Sequence, residues 1–492
     1  MTFASLSFLI FFPLVGVFYY ALPDRFRPSL LLLASCYFYM AFVPQYILIL
    51  FALILIDFTF AQYIATSEGR KKKLFFLGSL VANIGILFVF KYFNFFNANI
   101  TALAYLLHWN YSIGMLRLLL PLGLSFHTFQ SVSYVIEVYR GTYPPERNLG
   151  IYALYVLFFP QLIAGPIERP EQLLPQFHAP HPFNASRVWS GLRLMGWGFF
   201  KKLVIADRLA LSVDYVYAHI PGGNGPAALI AIAFFAFQLY ADFSGYTDIA
   251  RGAARTLGYE LVLNFNRPYT ARSIAEFWRR WHISLSSWFR DYLYFPLAYS
   301  AKRASRQWLY ICIIITFLVT GLWHGAGWTF VIMGGLHGTY LVIGTMTKSM
   351  QQRLKTKLGL DRTPRFLHTV EILWTFSLVS FSWVFFRAPD VQTAFALLRE
   401  AASGWALSFS TFLTHYVLEP AGTLGISRAD LILSVVGICV LLTVEQLSHR
   451  FAILRRIEEQ SLFVRTGVYA TLVLSILAFG IFETKQFIYF QF

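Results

Sequence analysis

Long apolar runs separated by short polar stretches repeat along almost the whole chain. A helix that crosses a bilayer needs about 20 predominantly apolar residues to cover roughly 30 Å of hydrocarbon. Runs of this kind fall at residues 5–22, 28–43, 46–64, 74–96, 116–135, 149–164, 227–240, 309–322, 329–346, 370–386, 431–444 and 467–482. The pattern predicts an all-α polytopic membrane protein with roughly 11–12 transmembrane helices, some short, tilted or re-entrant. No internal repeat is visible, and one integral membrane domain over residues 1–492 is expected.

Several stretches depart from plain apolar spans. Residues 116–135 carry Pro121, Gly123, Ser125, His127, Thr128, Gln130 and Ser131, which suits a helix lining the protein interior better than one facing lipid. His127 there either touches a substrate or bonds a neighbouring helix. Pro160, Gly165, Pro166 and Pro170 then interrupt helix continuity, giving a simple span exit or a rigid re-entrant segment that protein must shield. Residues 187–208 are amphipathic and basic, with Lys201 and Lys202 at their centre, and are expected on the cytoplasmic surface. Asp242 and Asp248 close another apolar run, where they hold a helix end or an arginine, or else act directly.

Composition agrees with the pattern and narrows the partners. Of 492 residues, 57% are hydrophobic and 13% charged, which argues against a separate soluble domain. The net charge of +16 comes mostly from Lys and Arg in short segments between apolar runs, pointing to anionic lipid headgroups and not to nucleic acid. Arginines at 25 and 27 and the Arg70–Lys73 cluster put the first and third loops in the cytoplasm and the N-terminus outside. No cleaved signal peptide is expected. Cys36, Cys312 and Cys439 are dispersed, and His178 and His181 sit among prolines without acidic neighbours, so no metal site is expected.

Candidate chemistry concentrates in two places. His324 stands in Gly321-Leu322-Trp323-His324-Gly325-Ala326-Gly327-Trp328, between two apolar runs. An ionisable group at that depth is costly and is expected to face a protein-lined cavity, either bonding a neighbouring helix or taking a proton from a hydroxyl. The flanking glycines leave room for another backbone or a substrate. His337 follows thirteen residues later, about 20 Å away on an unbroken helix, and shares a site only if the glycines break it. The other place is residues 273–297. At helical spacing Arg279, His282, Ser286 and Arg290 fall on one face, and Trp278, Trp281, Leu285, Trp288 and Tyr292 opposite. Such an interfacial helix presents its polar stripe either to the phosphates of an anionic carrier or to lipid headgroups.

At these residues the chain resembles the membrane-bound O-acyltransferase family, in its bacterial alginate O-acetyltransferase branch. The matching motifs are Phe8-Leu9-Ile10-Phe11-Phe12-Pro13-Leu14, Phe159-Pro160-Gln161 with Ala164-Gly165-Pro166-Ile167, and Tyr240 to Asp248. Phe277 to Ser286, Trp288 to Tyr292 and Leu322 to Ala326 complete the set. They put the motif core at about 116–345, followed by C-terminal helices over 368–492. The resemblance implies helices around a central funnel joining a cytoplasmic donor to an outer acceptor. The family's invariant histidine maps onto His324 and its second polar position onto His282. His127 departs from the family pattern, where an aromatic residue often stands.

The expected function is transfer of an acyl group, chiefly acetyl, from acetyl-CoA or another thioester to a hydroxyl of an envelope polysaccharide such as alginate. The expected setting is a bacterial inner membrane, with periplasmic or extracellular acetyltransferase proteins as partners and no bound cofactor. His324 and His282 are the catalytic candidates, and Arg279, Arg290, Trp323, Ser286 and Asp242 the donor- or substrate-binding candidates. The rivals are D-alanyl transfer to teichoic acids, peptidoglycan O-acetylation, and a transporter or scaffold without covalent chemistry.

Overall fold

In the computed structural model, residues 1–163, 165–220, 224–301, 305–403, 405, 413–451, 459–482 and 487–488 are described, and among them every regular element is a helix. Eight of these helices are long and apolar enough to cross a membrane: Pro44–Thr66, Gly69–Leu106, Gly225–Leu257, Arg306–His324, Trp328–Met346, Pro364–Arg387, Arg428–His449 and Leu462–Phe479. Leu6–Ala21 is a shorter apolar helix. The chain is a multi-pass membrane protein.

The remaining expected spans are shorter helices, for local reasons. The run at 116–135 becomes helical only at Leu124, because Pro121 precedes it and Gly123 adopts a left-handed φ of 75°. A Cβ on Gly123 would lie 2.6 Å from the Leu162 carbonyl oxygen, so this turn requires glycine. The run at 149–164 is helical only over Leu149–Leu157, where the Asn148 side chain caps the Gly150 and Ile151 amides. Ala164 lies outside the described residues.

By its contacts the chain divides into two compact units, Met1–Met195 with Ile249–Val262, and Gly196–Asp248 with Leu263–Phe492. In the first, the irregular segment after Leu157 is enclosed by protein. Phe158 and Phe159 are fully buried, and Phe159 packs against Phe11 and Phe38 at 5.4 and 5.8 Å. Its amide donates to Ser35 Oγ at 3.0 Å, so part of the non-helical backbone finds its partner inside the protein. The same unit buries Asp57, which accepts from Ser79 Oγ at 2.5 Å and Asn83 Nδ2 at 2.8 Å.

The second unit is built around a helical hairpin, Arg306–His324 and Trp328–Met346. Gly321 and Gly334 let the two backbones meet. A Cβ on Gly321 would stand 2.2 Å from the Phe330 oxygen, and one on Gly334 2.2 Å from the Phe317 oxygen. Small residues at a membrane helix interface permit this close approach. Pro364–Arg387 packs beside the hairpin through Trp383 and Phe386.

Lys201 and Lys202 differ from the surface position expected of them. They occupy a π-helical turn, Phe200–Ala206, and are only 3% and 6% exposed. Ion pairs compensate the burial. Lys202 Nζ lies 2.9 Å from Asp207 and 2.8 Å from Asp242, and Lys201 Nζ 2.5 Å from Asp248 and 3.1 Å from Ser244 Oγ. Gly245, whose Cβ would fall 2.8 Å from the Gly198 oxygen, lets the two helices come close enough for this lattice.

Candidate active site

The stretch 273–297 is not one amphipathic helix. Ser273 Oγ caps the Glu276 amide and starts the helix Ile274–Arg280; the chain then breaks at Trp281 and His282 and restarts as Ile283–Phe289. His282 takes the left-handed conformation, φ 42° and ψ 56°, a strain of order 1–3 kcal/mol in a residue other than glycine. The continuous polar stripe therefore does not form, and His282 is fully buried instead of lying on a surface face.

Asn264, which the sequence did not single out, holds this break. Its main-chain oxygen accepts from the Ile283 amide at 2.9 Å. Its Oδ1 accepts from the Ser284 amide at 3.2 Å and from Ser284 Oγ at 2.7 Å. Bonds from a residue 20 positions upstream thus satisfy amides at the start of the new helix. Asparagine before Phe265-Asn266-Arg267-Pro268 reads as turn chemistry, and no spacing rule links it to His282.

His324 ends its helix, and extended backbone at Gly325 turns the chain back into the second arm of the hairpin. A Cβ on Gly325 would meet the Phe330 ring at 2.1 Å, so the glycines make room for protein at this point. His324 is 3% exposed, with its ring 5.4 Å from Phe386. Trp323 touches both imidazoles: ring centroids lie 5.9 Å from His282 and 5.0 Å from His324. Phe243 closes on His282 edge-on at 4.6 Å. Two histidines 42 positions apart are thereby brought to one indole.

The second unit also holds a cavity of about 480 Å³, within the range of small-molecule sites, whose lining includes neither imidazole nor Trp323. Its walls are mostly apolar and include Trp278, Ile283, Leu285, Ile313, Phe317 and Leu341, with Ser286, Thr316 and Thr320 as hydroxyls. Arg279 and Arg290, both exposed, stand on its margin. Thr320 lies one helical turn before His324 and therefore on the same face, while Ile283 directly follows His282. The cavity so reaches both elements that carry the histidines.

The other candidates separate from this group. Asp242 does not line the cavity; it pairs with Lys202 and accepts from the Ile488 amide at 2.9 Å. His337, brought round by the hairpin, is fully buried and accepts from Trp278 Nε1 at 3.3 Å. His127, in the first unit, is buried edge-on to Tyr39 at 6.4 Å. Among the described residues no group of three or more His, Cys, Asp or Glu is placed to hold a metal ion.

Residues 147–378 match the family model for MBOAT, the membrane-bound O-acyltransferase family, a span that includes His282, His324 and the cavity. The chain is 39% identical over 419 residues to "Probable alginate O-acetylase AlgI" of Azotobacter vinelandii, covering 83% of this chain and 80% of the relative. The chain belongs to the membrane-bound O-acyltransferase family. It is 34% identical over 424 residues to "Peptidoglycan O-acetyltransferase" of Helicobacter pylori, covering 81% and 77% of the two chains. To "Teichoic acid D-alanyltransferase" of Streptococcus thermophilus it is 29% identical over 289 residues, covering 56% and 69%. As a member of this family the protein is an O-acyltransferase, and its reaction consumes an acyl donor and a hydroxyl acceptor.

Proposed function

We propose that this acyltransferase moves an acetyl group from acetyl-CoA to a hydroxyl destined for an envelope polysaccharide such as alginate. The observation that carries the reading is the cavity: charged at its margin, apolar within, and bordered by the elements bearing two buried imidazoles. Guanidinium groups at the margin suit the phosphates of a coenzyme, and an apolar interior suits its thioester arm. The similarity to alginate O-acetylases favours acetyl and polysaccharide over the alternatives.

In this mechanism His324 takes the proton of the attacking hydroxyl as its oxygen bonds to the thioester carbonyl carbon. The tetrahedral intermediate collapses, the carbon–sulfur bond breaks, and the thiolate leaves with a proton returned by the imidazolium. His282 orients the donor or assists this return, and Trp323 fixes the two rings relative to each other. Arg279 and Arg290 bind the donor phosphates, and Ser286 offers a hydroxyl along the arm. Asp242 acts on the site only through the ion pairs that hold its helix.

The protein would lie in a bacterial inner membrane with its N-terminus outside, so that the basic clusters Arg25–Arg27 and Arg70–Lys73 remain cytoplasmic. Periplasmic acetyltransferase proteins would carry the group onward. Labelled acetyl-CoA supplied to membranes with the wild-type or His324→Ala protein, at matched expression and with the host's polysaccharide and accessory proteins, tests the reading. Label in polysaccharide only with wild type supports it. Equal label in both moves the chemistry to another protein, and label from a D-alanyl thioester alone favours the teichoic-acid reaction.

A further inference from the structure

We propose that Trp278, held in place by His337, sets the length of the acyl group that the donor cavity admits. The inference rests on the donor reading of that cavity. Trp278 is 7% exposed and lines the cavity beside Arg279, so a single helical turn supplies a charge at the margin and an indole within. A thioester whose phosphates rest on Arg279 and Arg290 directs its acyl end inward, towards Trp278, Thr320 and Ile283.

The indole is fixed from several sides. Its N–H donates to His337 Nδ1 at 3.3 Å, and its ring meets His337 at 5.0 Å and 85° and Phe317 at 5.1 Å and 69°. Phe277 adds an edge contact at 5.7 Å. His337 is held in turn, nearly parallel to Phe277 at 6.3 Å and 5.5 Å from Trp383. Accepting at Nδ1 leaves the neutral ring protonated at Nε2. Swinging the indole aside to admit a longer chain strands the donor and its acceptor in a buried site. An acetyl group puts one methyl beyond the carbonyl, and each further methylene presses on a wall with little freedom to retreat. His337 thus acts as a positioning residue for the wall and takes no proton from the substrate.

The test is the ratio of kcat/KM for hexanoyl-CoA to that for acetyl-CoA, measured in the membranes described above with wild-type, Trp278→Ala, His337→Leu and His337→Asn proteins. Trp278→Ala is expected to raise the ratio by about 10- to 200-fold. His337→Leu, which releases the indole, raises it less. His337→Asn, which keeps an acceptor near the place of Nδ1, stays close to wild type. An unchanged ratio in a Trp278→Ala protein that still transfers acetyl overturns the proposal, as does loss of acetyl transfer in both His337 variants with normal donor binding. If Trp278→Ala transfers nothing, thermal stabilisation of the purified protein by acetyl-CoA and hexanoyl-CoA reads the preference, and an unchanged preference is again fatal. A wild-type protein that uses no acyl-CoA refutes the donor reading itself, a result distinct from an unchanged ratio.

Discussion

Two buried clusters in the second unit carry ionisable groups, and they are built on opposite plans. In one, Lys201 and Lys202 are set against Asp207, Asp242 and Asp248 at distances of 2.5 to 2.9 Å. In the other, His282, His324 and His337 are ringed by Trp278, Trp323, Trp383, Phe243 and Phe386. The lattice of charges depends on every member, because removing one partner leaves its counter-charge buried and uncompensated. Aromatic walls make no such demand on an imidazole. The first plan suits holding helices together; in the second, under the mechanism proposed above, His324 exchanges a proton with the substrate while His337 holds Trp278.

Substitutions test the contrast. The largest effect is expected for His324→Ala, which loses about 10² to 10⁴ in acyl transfer while keeping its melting temperature near wild type. A matching loss of stability would mean that the aromatic cluster is as dependent on its histidine as the lattice is on its lysines. Lys202→Met is expected to do the reverse. It strands Asp207 and Asp242 at a cost of about 3–5 kcal/mol, read as reduced yield of folded protein in detergent. Normal yield with impaired turnover would move Lys202 into the reaction.

Asn264→Leu sits between the two plans. Loss of an acceptor for two Ser284 donors is expected to cost about 1–3 kcal/mol for each group left unsatisfied. Because the break at His282 depends on those bonds, turnover should fall more than donor affinity, and Asn264→Asp should restore much of it. Equal effects of both variants on kcat and KM would assign Asn264 to general stability. The smallest effect is expected for Arg290→Gln. This exposed residue already pairs with Asp291 at 2.8 Å, so donor KM should rise only a few-fold, and less at high salt. A large effect independent of salt would place Arg290 in the buried chemistry.

The sequence made some of this arrangement legible. The apolar runs on either side of His324 marked the two arms of the hairpin, and the glycines marked the close approach, although protein fills that space at Gly321 and Gly325. The break at His282 left no such trace. Neither glycine nor proline stands at 281–283, and the helical period continues through it, because the bend is imposed by Asn264 from elsewhere in the chain. Lys201 and Lys202 looked like surface charges for the same reason. Their partners include Asp242 and Asp248 on another helix, and periodicity within one segment cannot report a distant counter-charge. That some spans are short is expected from the sequence, but which ones, and where the helix starts, is set by a proline or a left-handed glycine, as at Pro121 and Gly123.

The hairpin from Arg306 to Met346 also bears on the order in which the protein assembles during synthesis. Its arms are neighbours along the chain, so their pairing closes a short loop and needs nothing made later. Phe386 and Trp383, which wall His324 and His337, emerge from the ribosome only after the hairpin is complete. A nascent chain that stops before Pro364 would therefore hold a paired hairpin with both imidazoles uncovered on that side, and the finished pocket would be among the last features to mature.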